Sequence, residues 1–242
     1  MRANRIRSFR KKLAQGEAVL VANADHPSPS LVERLGSTLV DAVFIDCEQT
    51  AVGIESVENM ARAARLTDLL SLVRLYSPAD WAIERALKCG VDGVVVPRLE
   101  SPAQAAEVVA AVRYCSVPDQ EPRLVVVQIE TRGAIETLDA FLAIDGIDVY
   151  FIGPVDLAKS LGHSSDYRDP RNDALITETI IDIRQSGKVA GILVDKDSME
   201  RAIGRGVQFL YLHVNDFIDQ GIACFEEEIK RSLSKQASRP AR

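Results

Sequence analysis

The chain has 242 residues, 47% of them hydrophobic and 26% charged, enough for one large globular domain with a substantial core. A net charge of −6 and a pI near 5.2 argue against a general nucleic-acid binder, which would carry a basic domain or stripe. No apolar run reaches the roughly 18–20 residues that span a bilayer, and the basic start Met1-Arg2-Ala3-Asn4-Arg5-Ile6-Arg7 leads to Lys11 and Lys12 rather than to an apolar signal core, so a cytoplasmic protein is expected.

After a basic N-terminal helix that reads as a loose end, short β-rich runs alternate with helical segments. The predicted strands are Ala18–Ala22, Ala42–Asp46, Leu70–Arg74, Gly93–Pro97, Leu124–Ile129, Val149–Ile152, Val189–Val194 and Gln208–Val214. Between them, apolar residues at helical spacing predict helices over Ile54–Ala64, Trp81–Leu87, Ala103–Val112, Leu175–Arg184 and Met199–Ile203. Ser77-Pro78 and Ser101-Pro102 pair a cap with a first-turn proline, and Gly90, Gly187 and Gly206 each stand where a helix should end in a left-handed residue. Eight strand–helix units in 242 residues predict a single (β/α)8 TIM barrel, with no linker or repeat. A C-terminal helix is expected at about 216–233, with Phe217, Ile218, Ile222, Phe225, Ile229 and Leu233 on or near one face, followed by a loose tail over 235–242. That helix either closes its own barrel or docks on a neighbour.

The four cysteines, Cys47, Cys89, Cys115 and Cys224, are scattered, with no CxxC pair and no nearby histidine. Cys47 ends a strand, where a small buried thiol is a better reading than a nucleophile.

Two segments carry the chemistry. Leu124 to Ile129 and Val149 to Ile152 are β-branched, apolar runs that end in the carboxylates Glu130 and, just beyond Gly153-Pro154, Asp156. Carboxylates at two strand mouths suit a hard divalent cation, Mg²⁺ or Mn²⁺; alternatively each acid simply opens its following helix. Gln128 inside the first run and the Gly-Pro in the second favour a site. The other strand ends supply Asp46, Glu48, Gln49, Arg74, Pro97, Arg98, Asp195, His213 and Asn215, a polar ring above an apolar barrel. Arg74 suits a carboxylate or a developing enolate, or else an ion pair with Asp46 or Glu48. The backbone N–H groups of Val155 and Asp156 suit a substrate carboxylate. His26 and His163 read as loop residues.

The stretches Phe44-Ile45-Asp46-Cys47-Glu48-Gln49, Val73-Arg74, Val95-Val96-Pro97, Val127-Gln128-Ile129-Glu130-Thr131-Arg132 and Phe151-Ile152-Gly153-Pro154-Val155-Asp156-Leu157 resemble, in order, the metal-dependent class II pyruvate aldolases of the HpcH/HpaI family. The resemblance runs from about residue 30 to about 215. It implies a (β/α)8 barrel, a C-terminal helix exchanged between subunits of a homo-oligomer (trimer or hexamer), and a divalent ion that binds a 2-oxo acid. It further implies Glu130 and Asp156 as metal ligands, Gln128 beside them, Arg74 as the group that stabilises an enolate, and Gly153 and Val155 lining a carboxylate pocket. Three features depart from the family pattern. Gln49 and Lys88 stand where the family has its proton-transfer histidine and aspartate, the loop at about Ser116–Pro122 is short, and His213 replaces a glycine. The expectation is a metal-dependent carbon–carbon lyase acting on a short 2-oxo acid or its aldol adduct, with weak or absent aldol addition when pyruvate is the donor. The base is left open between His213, Glu48 and a metal-bound water. The alternatives are a non-catalytic oxo-acid-binding or scaffold protein, and a decarboxylase or tautomerase using the same enolate.

Overall fold

In the computed structural model, which describes residues 2–116, 121–164 and 169–237, all eight predicted strands form and close into one parallel barrel in sequential order. They are β1 (Val19–Asn23), β2 (Ala42–Asp46), β3 (Leu70–Arg74), β4 (Gly93–Val96), β5 (Leu124–Ile129), β6 (Val149–Ile152), β7 (Ala190–Leu193) and β8 (Phe209–His213). Closure is made by β1 against β8, with Val19 in register with Phe209 and Asn23 with His213. Almost every strand residue is buried, because helices cover one face and packed side chains fill the other, which is why the strands read as continuous apolar runs.

The helices are α1 (Arg2–Ala14), α2 (Pro29–Leu35), α3 (Ile54–Leu66), α4 (Asp80–Lys88), α5 (Pro102–Tyr114), α6 (Arg132–Glu136), α7 (Leu138–Leu142), α8 (Pro154–Ser160), α9 (Pro170–Gln185), α10 (Met199–Gly204) and α11 (Val214–Ala237). Ser101 caps α5 as expected, accepting from the Gln104 N–H with Pro102 in the first turn. Gly90, Gly187 and Gly206 adopt φ of +91°, +76° and +91° where their helices end. Ser77-Pro78 does not open α4. The Ser77 hydroxyl instead accepts from the Ala79 N–H, Ala79 stays extended, and the helix begins at Asp80. Sequence reading misses α2, although Ser28-Pro29 carries the same cap and first-turn proline. It also misses α6 and α7, each five residues long and too short for a periodicity to show. The shortened loop at 116–122 lies partly outside the described residues.

The N-terminal helix is not a loose end. Ile6, Phe9 and Leu13 of α1 pack into the same apolar cluster as the inward residues Val19, Leu70, Leu124, Val149 and Phe209, so α1 plugs the floor of the barrel. Phe9 meets Phe209 edge-on at 6.5 Å. The basic residues that colour this helix are tied to acids: Arg10 to Asp148 at 2.6 Å, Lys12 to Asp41 at 2.6 Å, and the buried Arg5 to Asp92 at 3.1 Å. Asp92 is fully buried and also accepts from the Ser71 N–H and hydroxyl.

The expected C-terminal helix forms but is longer, running on through Ala237, so the first residues of the predicted tail are helical. It does not close its own barrel. Phe217, Ile218, Ile222, Phe225, Ile229 and Leu233 are all exposed along it. Among the described residues, no helix is long and apolar enough to cross a membrane.

Because α1 supplies the barrel floor, Phe9→Ala should cost about 3–5 kcal/mol, the range for truncating a buried phenylalanine. Denaturant unfolding checks it, and a change below about 1 kcal/mol would show that α1 is not part of the core.

Candidate active site at the barrel mouth

Side chains alternate across each strand, so the residues two beyond an inward apolar one also face inward, at the barrel's C-terminal end. Phe44 is followed by Asp46, Leu72 by Arg74, Val126 by Gln128 and Glu130, Phe151 by Gly153, and Tyr211 by His213. This is the polar ring expected from the sequence. Its floor is an aromatic layer: Tyr211 meets Phe44 at 4.7 Å and Phe151 at 5.3 Å, both near edge-on.

Arg74 is buried and lies over the Phe44 ring at 5.6 Å. Its Nε and Nη2 donate to the two carboxylate oxygens of Asp46 at 2.9 and 2.6 Å, and its Nη1 lies 3.3 Å from Glu48. The ion-pair alternative is therefore real, but the pair is buried rather than at the surface. Burial alone would raise Asp46, yet the Arg74 hydrogen bonds and charge, with the Gln49 and Glu48 N–H groups, hold it below the usual carboxylate range. Glu48 goes the other way: burial raises it against the pull of Arg74 and Arg98.

Glu130 is the most perturbed acid of the ring. It is 3% exposed, and its two oxygens accept from the Arg98 N–H at 2.7 Å and from the Gln128 amide at 2.6 Å. Burial, with the nearby charges of Glu48 and Asp156, pushes its carboxyl up to about 7, against the pull of the Arg98 N–H and Arg74. The Gln128 carbonyl oxygen beside it is buried with no hydrogen-bond partner. Gly153 makes room for this arrangement, since a Cβ there would lie 2.6 Å from Glu130 Oε2 and 2.9 Å from Glu130 Cβ. Glu130 does not start a helix; Thr131 caps α6, accepting from the Ala134 N–H and donating to Leu99 O across the adjoining loop. Asp156 does sit in the first turn of α8, where it is half-exposed and 3.2 Å from Lys159. Val155 occupies the same first turn, whose N–H groups have no partner within the helix.

Other candidates are placed elsewhere. Lys88 is exposed in the last turn of α4 and paired with Glu84, at the end of the helix that points away from the mouth, so one chain does not bring it to Gln49. His26 reaches Asn215 at 3.0 Å on the surface, and His163 holds Asn172 at 2.8 Å beside α9. Asp195 closes a turn, accepting from the Ser198 N–H and hydroxyl. Burial, then the Asp46 charge, lifts the Cys47 thiol to about 11, which removes a thiolate role near neutrality. Sequence reading misses Asp25, whose Oδ1 lies 2.6 Å from His213 Nδ1 and whose backbone is left-handed at φ +57°. Only its place two residues after Asn23, at the end of β1, could have flagged it. Arg98 is also left-handed, at φ +57°, and its role as a backbone donor to Glu130 leaves no mark in the sequence.

The family model described as HpcH/HpaI aldolase/citrate lyase matches residues 21–216. The chain is 31% identical to a hydroxypyruvate/pyruvate aldolase of Roseobacter denitrificans, over 85% of this chain and 90% of that protein. Among solved structures it resembles an HpcH/HpaI aldolase/citrate lyase family protein of Burkholderia cenocepacia, with a TM-score of 0.84 and 23% identity over 92% of this chain and 99% of that one. It also resembles a citrate lyase beta subunit from M. tuberculosis complexed with oxaloacetate and magnesium, with a TM-score of 0.58 and 19% identity over 84% of this chain and 93% of that one.

A carboxyl that folding raises to about 7 binds its proton more tightly in the native than in the unfolded state, so Glu130 withdraws stability as pH climbs from the ordinary glutamate range to about 7. Without divalent metal, the parent should lose stability relative to Glu130→Gln across this window and change little relative to it above. Thermal unfolding in chelator over about pH 5 to 8 measures the difference; a pH-independent difference would mean that Glu130 is solvated.

Proposed function

Because the chain belongs to the HpcH/HpaI aldolase/citrate lyase family, and so to aldolase-type lyases, we propose that it makes or breaks a carbon–carbon bond next to a short 2-oxo acid with the help of a divalent cation. The observation that carries this reading is Glu130: a carboxylate oriented by two hydrogen bonds and raised by its burial and then by neighbouring acids, beside the unpartnered oxygen of Gln128. A cation held there would offset the crowded negative charge, and the unpartnered Gln128 oxygen leaves a polar atom free for a ligand.

The donors fit a hard ion. Among the described residues there is no cluster of three or more His, Cys, Asp or Glu able to hold a metal. Two carboxylates, Glu130 and Asp156, would hold Mg²⁺ or Mn²⁺, with water and substrate oxygens completing the shell. When bound, the ion supplies Lewis-acid polarisation of the keto oxygen. The protein's own residues do the rest. Arg74, held flat by Asp46, stabilises negative charge that develops on the substrate. The Val155 and Asp156 N–H groups at the start of α8 receive the substrate carboxylate. Gly153 keeps this wall clear of any side chain, and Gln128 fixes the rotamer of Glu130. The rival reading is an oxo-acid-binding protein without catalysis. What favours it is Gln49, which offers no base and meets Asp46 through its backbone N–H.

The exposed apolar face of α11 supports a homo-oligomer, a trimer or hexamer, in which this helix docks on a neighbouring copy. Light scattering should then report a mass several times 26.5 kDa at micromolar concentration, and a monomer would contradict it.

Titration with Mn²⁺ and oxalate, a two-oxygen mimic of the oxo acid, should show joint binding, each ligand tightening the other. Glu130→Gln and Asp156→Asn should each lose most of the Mn²⁺ affinity. Unchanged Mn²⁺ affinity in both variants removes the metal site from the mouth, and joint binding without any lyase activity on hydroxypyruvate or pyruvate favours the rival.

A further inference from the structure

On the wall of the mouth formed by β8 and β1, an imidazole and a carboxylate make a second cluster that the metal-binding residues do not touch. His213 Nδ1 lies 2.6 Å from Asp25 Oδ1, and Asp25 Oδ2 accepts from the Asn215 N–H at 3.0 Å. The Asp25 N–H donates to Asn23 Oδ1 at 3.1 Å, and Asn23 Nδ2 donates to the Tyr211 hydroxyl at 2.8 Å. Asn23 Nδ2 also lies 3.4 Å from His213 Nδ1. An amide nitrogen cannot accept, so the carboxylate at 2.6 Å takes the Nδ1 proton and fixes the tautomer. Nε2 is then the unprotonated nitrogen of the neutral ring.

The barrel's pleat aims that nitrogen's ring at the site. Phe44, Phe151 and Tyr211 form one inward layer, as their ring contacts show. Two residues further along the same three strands stand Asp46, Gly153 and His213, so His213 shares the uppermost layer with the Arg74 partner and the glycine that cradles Glu130. The His213 ring stands edge-on to Tyr211 at 5.2 Å, and its side chain is 38% exposed, open to a molecule entering the mouth. Asp25 adopts a left-handed backbone, φ +57°, a conformation open to aspartate, with its N–H on Asn23 Oδ1. That turn brings the carboxylate onto the imidazole of His213 and the Asn215 N–H.

We propose that His213 and Asp25 are the proton-transfer pair of this protein, with His213 as the catalytic base and Asp25 as its positioning residue. The inference rests on the 2-oxo-acid reading above and supplies the base that Gln49 does not. For pyruvate, Nε2 takes a proton from the C3 methyl group. The C–H bond breaks, the N–H bond forms, and the bonding pair becomes the C2–C3 π bond of the enolate, whose charge passes to the former keto oxygen. The imidazolium is stabilised by Asp25 and returns the proton in the reverse step. Asn23 and Tyr211 hold the pair from below.

The test is exchange of pyruvate methyl protons into D₂O with Mg²⁺ present, followed by NMR, together with Mn²⁺–oxalate binding for each variant. Exchange by the parent should fall about 10² to 10⁴-fold in His213→Ala, the usual cost of losing a general base. Asp25→Asn should lose at least about tenfold by releasing the tautomer, and the double variant should be no slower than His213→Ala alone. Oxalate binding should survive in all three, which also reports that they fold; His213→Gln serves if the alanine variant does not. Nitrogen-15 spectra of the imidazole should place the His213 proton on Nδ1 in the parent and redistribute it in Asp25→Asn. Exchange that persists in His213→Ala, or an Nε2-protonated ring in the parent, overturns the pair and leaves the lyase reading standing. A parent that binds oxalate with Mn²⁺ but exchanges nothing overturns the pair while keeping the oxo-acid site. A parent that neither binds nor exchanges overturns both.

Discussion

A closed sheet of parallel strands, covered by helices outside and filled by side chains within, leaves no position along a strand where a charge can meet water. Charge is therefore confined to the two ends of the barrel, and at each end it must be paired or hydrogen-bonded. At the floor the solution is structural: Asp92, fully buried, is satisfied by Arg5 and by the Ser71 N–H and hydroxyl. At the mouth Asp46 and Arg74 meet in a two-pronged pair on adjacent strands in direct register. The same constraint yields a sealed end and a polar mouth, with every strand running from the one to the other.

What distinguishes the mouth is that its acids are not all neutralised. Asp46 is matched by Arg74, and Glu48 by Arg74 and by Arg98 at 2.7 Å. Glu130 has only an amide and a backbone N–H, neither of them a full positive charge, so burial wins and its carboxyl rises to about 7. Its place beside a glycine that leaves it room is consistent with a positive ligand supplied from outside.

The sequence made the barrel legible because both-sides burial writes strands as unbroken β-branched runs, and because left-handed caps demand glycine at Gly90, Gly187 and Gly206. It made the places of Glu130 and Arg74 legible because a charge at the end of such a run has only the mouth to occupy, and that of Asp156 because Gly153-Pro154 opens a helix just past β6. The periodicity also showed α11, although the pattern could not say whether the helix packs on its own barrel, which the exposed Phe225 and Leu233 exclude. Less visible were contacts between residues far apart in the chain. Asp25 meets His213 only because β1 closes on β8. The basic N-terminal helix reads as solvated until Asp92, Asp148 and Asp41 arrive from three different strand starts to meet it. Ser77-Pro78 misled because a hydroxyl that accepts two residues on makes a turn before the helix rather than its cap.

The plug formed by α1 also sets an order of events during synthesis. This helix leaves the ribosome before any of the strands it packs on, yet Phe9 packs on Phe209 and the Leu13 carbonyl waits for the side-chain amide of Gln208. Its binding surface does not exist until the last strand has been made and has zipped onto β1. Until then Ile6, Phe9 and Leu13 form an apolar stripe without a home, next to a β1 edge whose partner is about 190 residues away, a span that makes closure slow and exposes intermediates to aggregation. This helix is thus a latch that locks only when the ring is complete, and it couples α1 and β8 into one cooperative step.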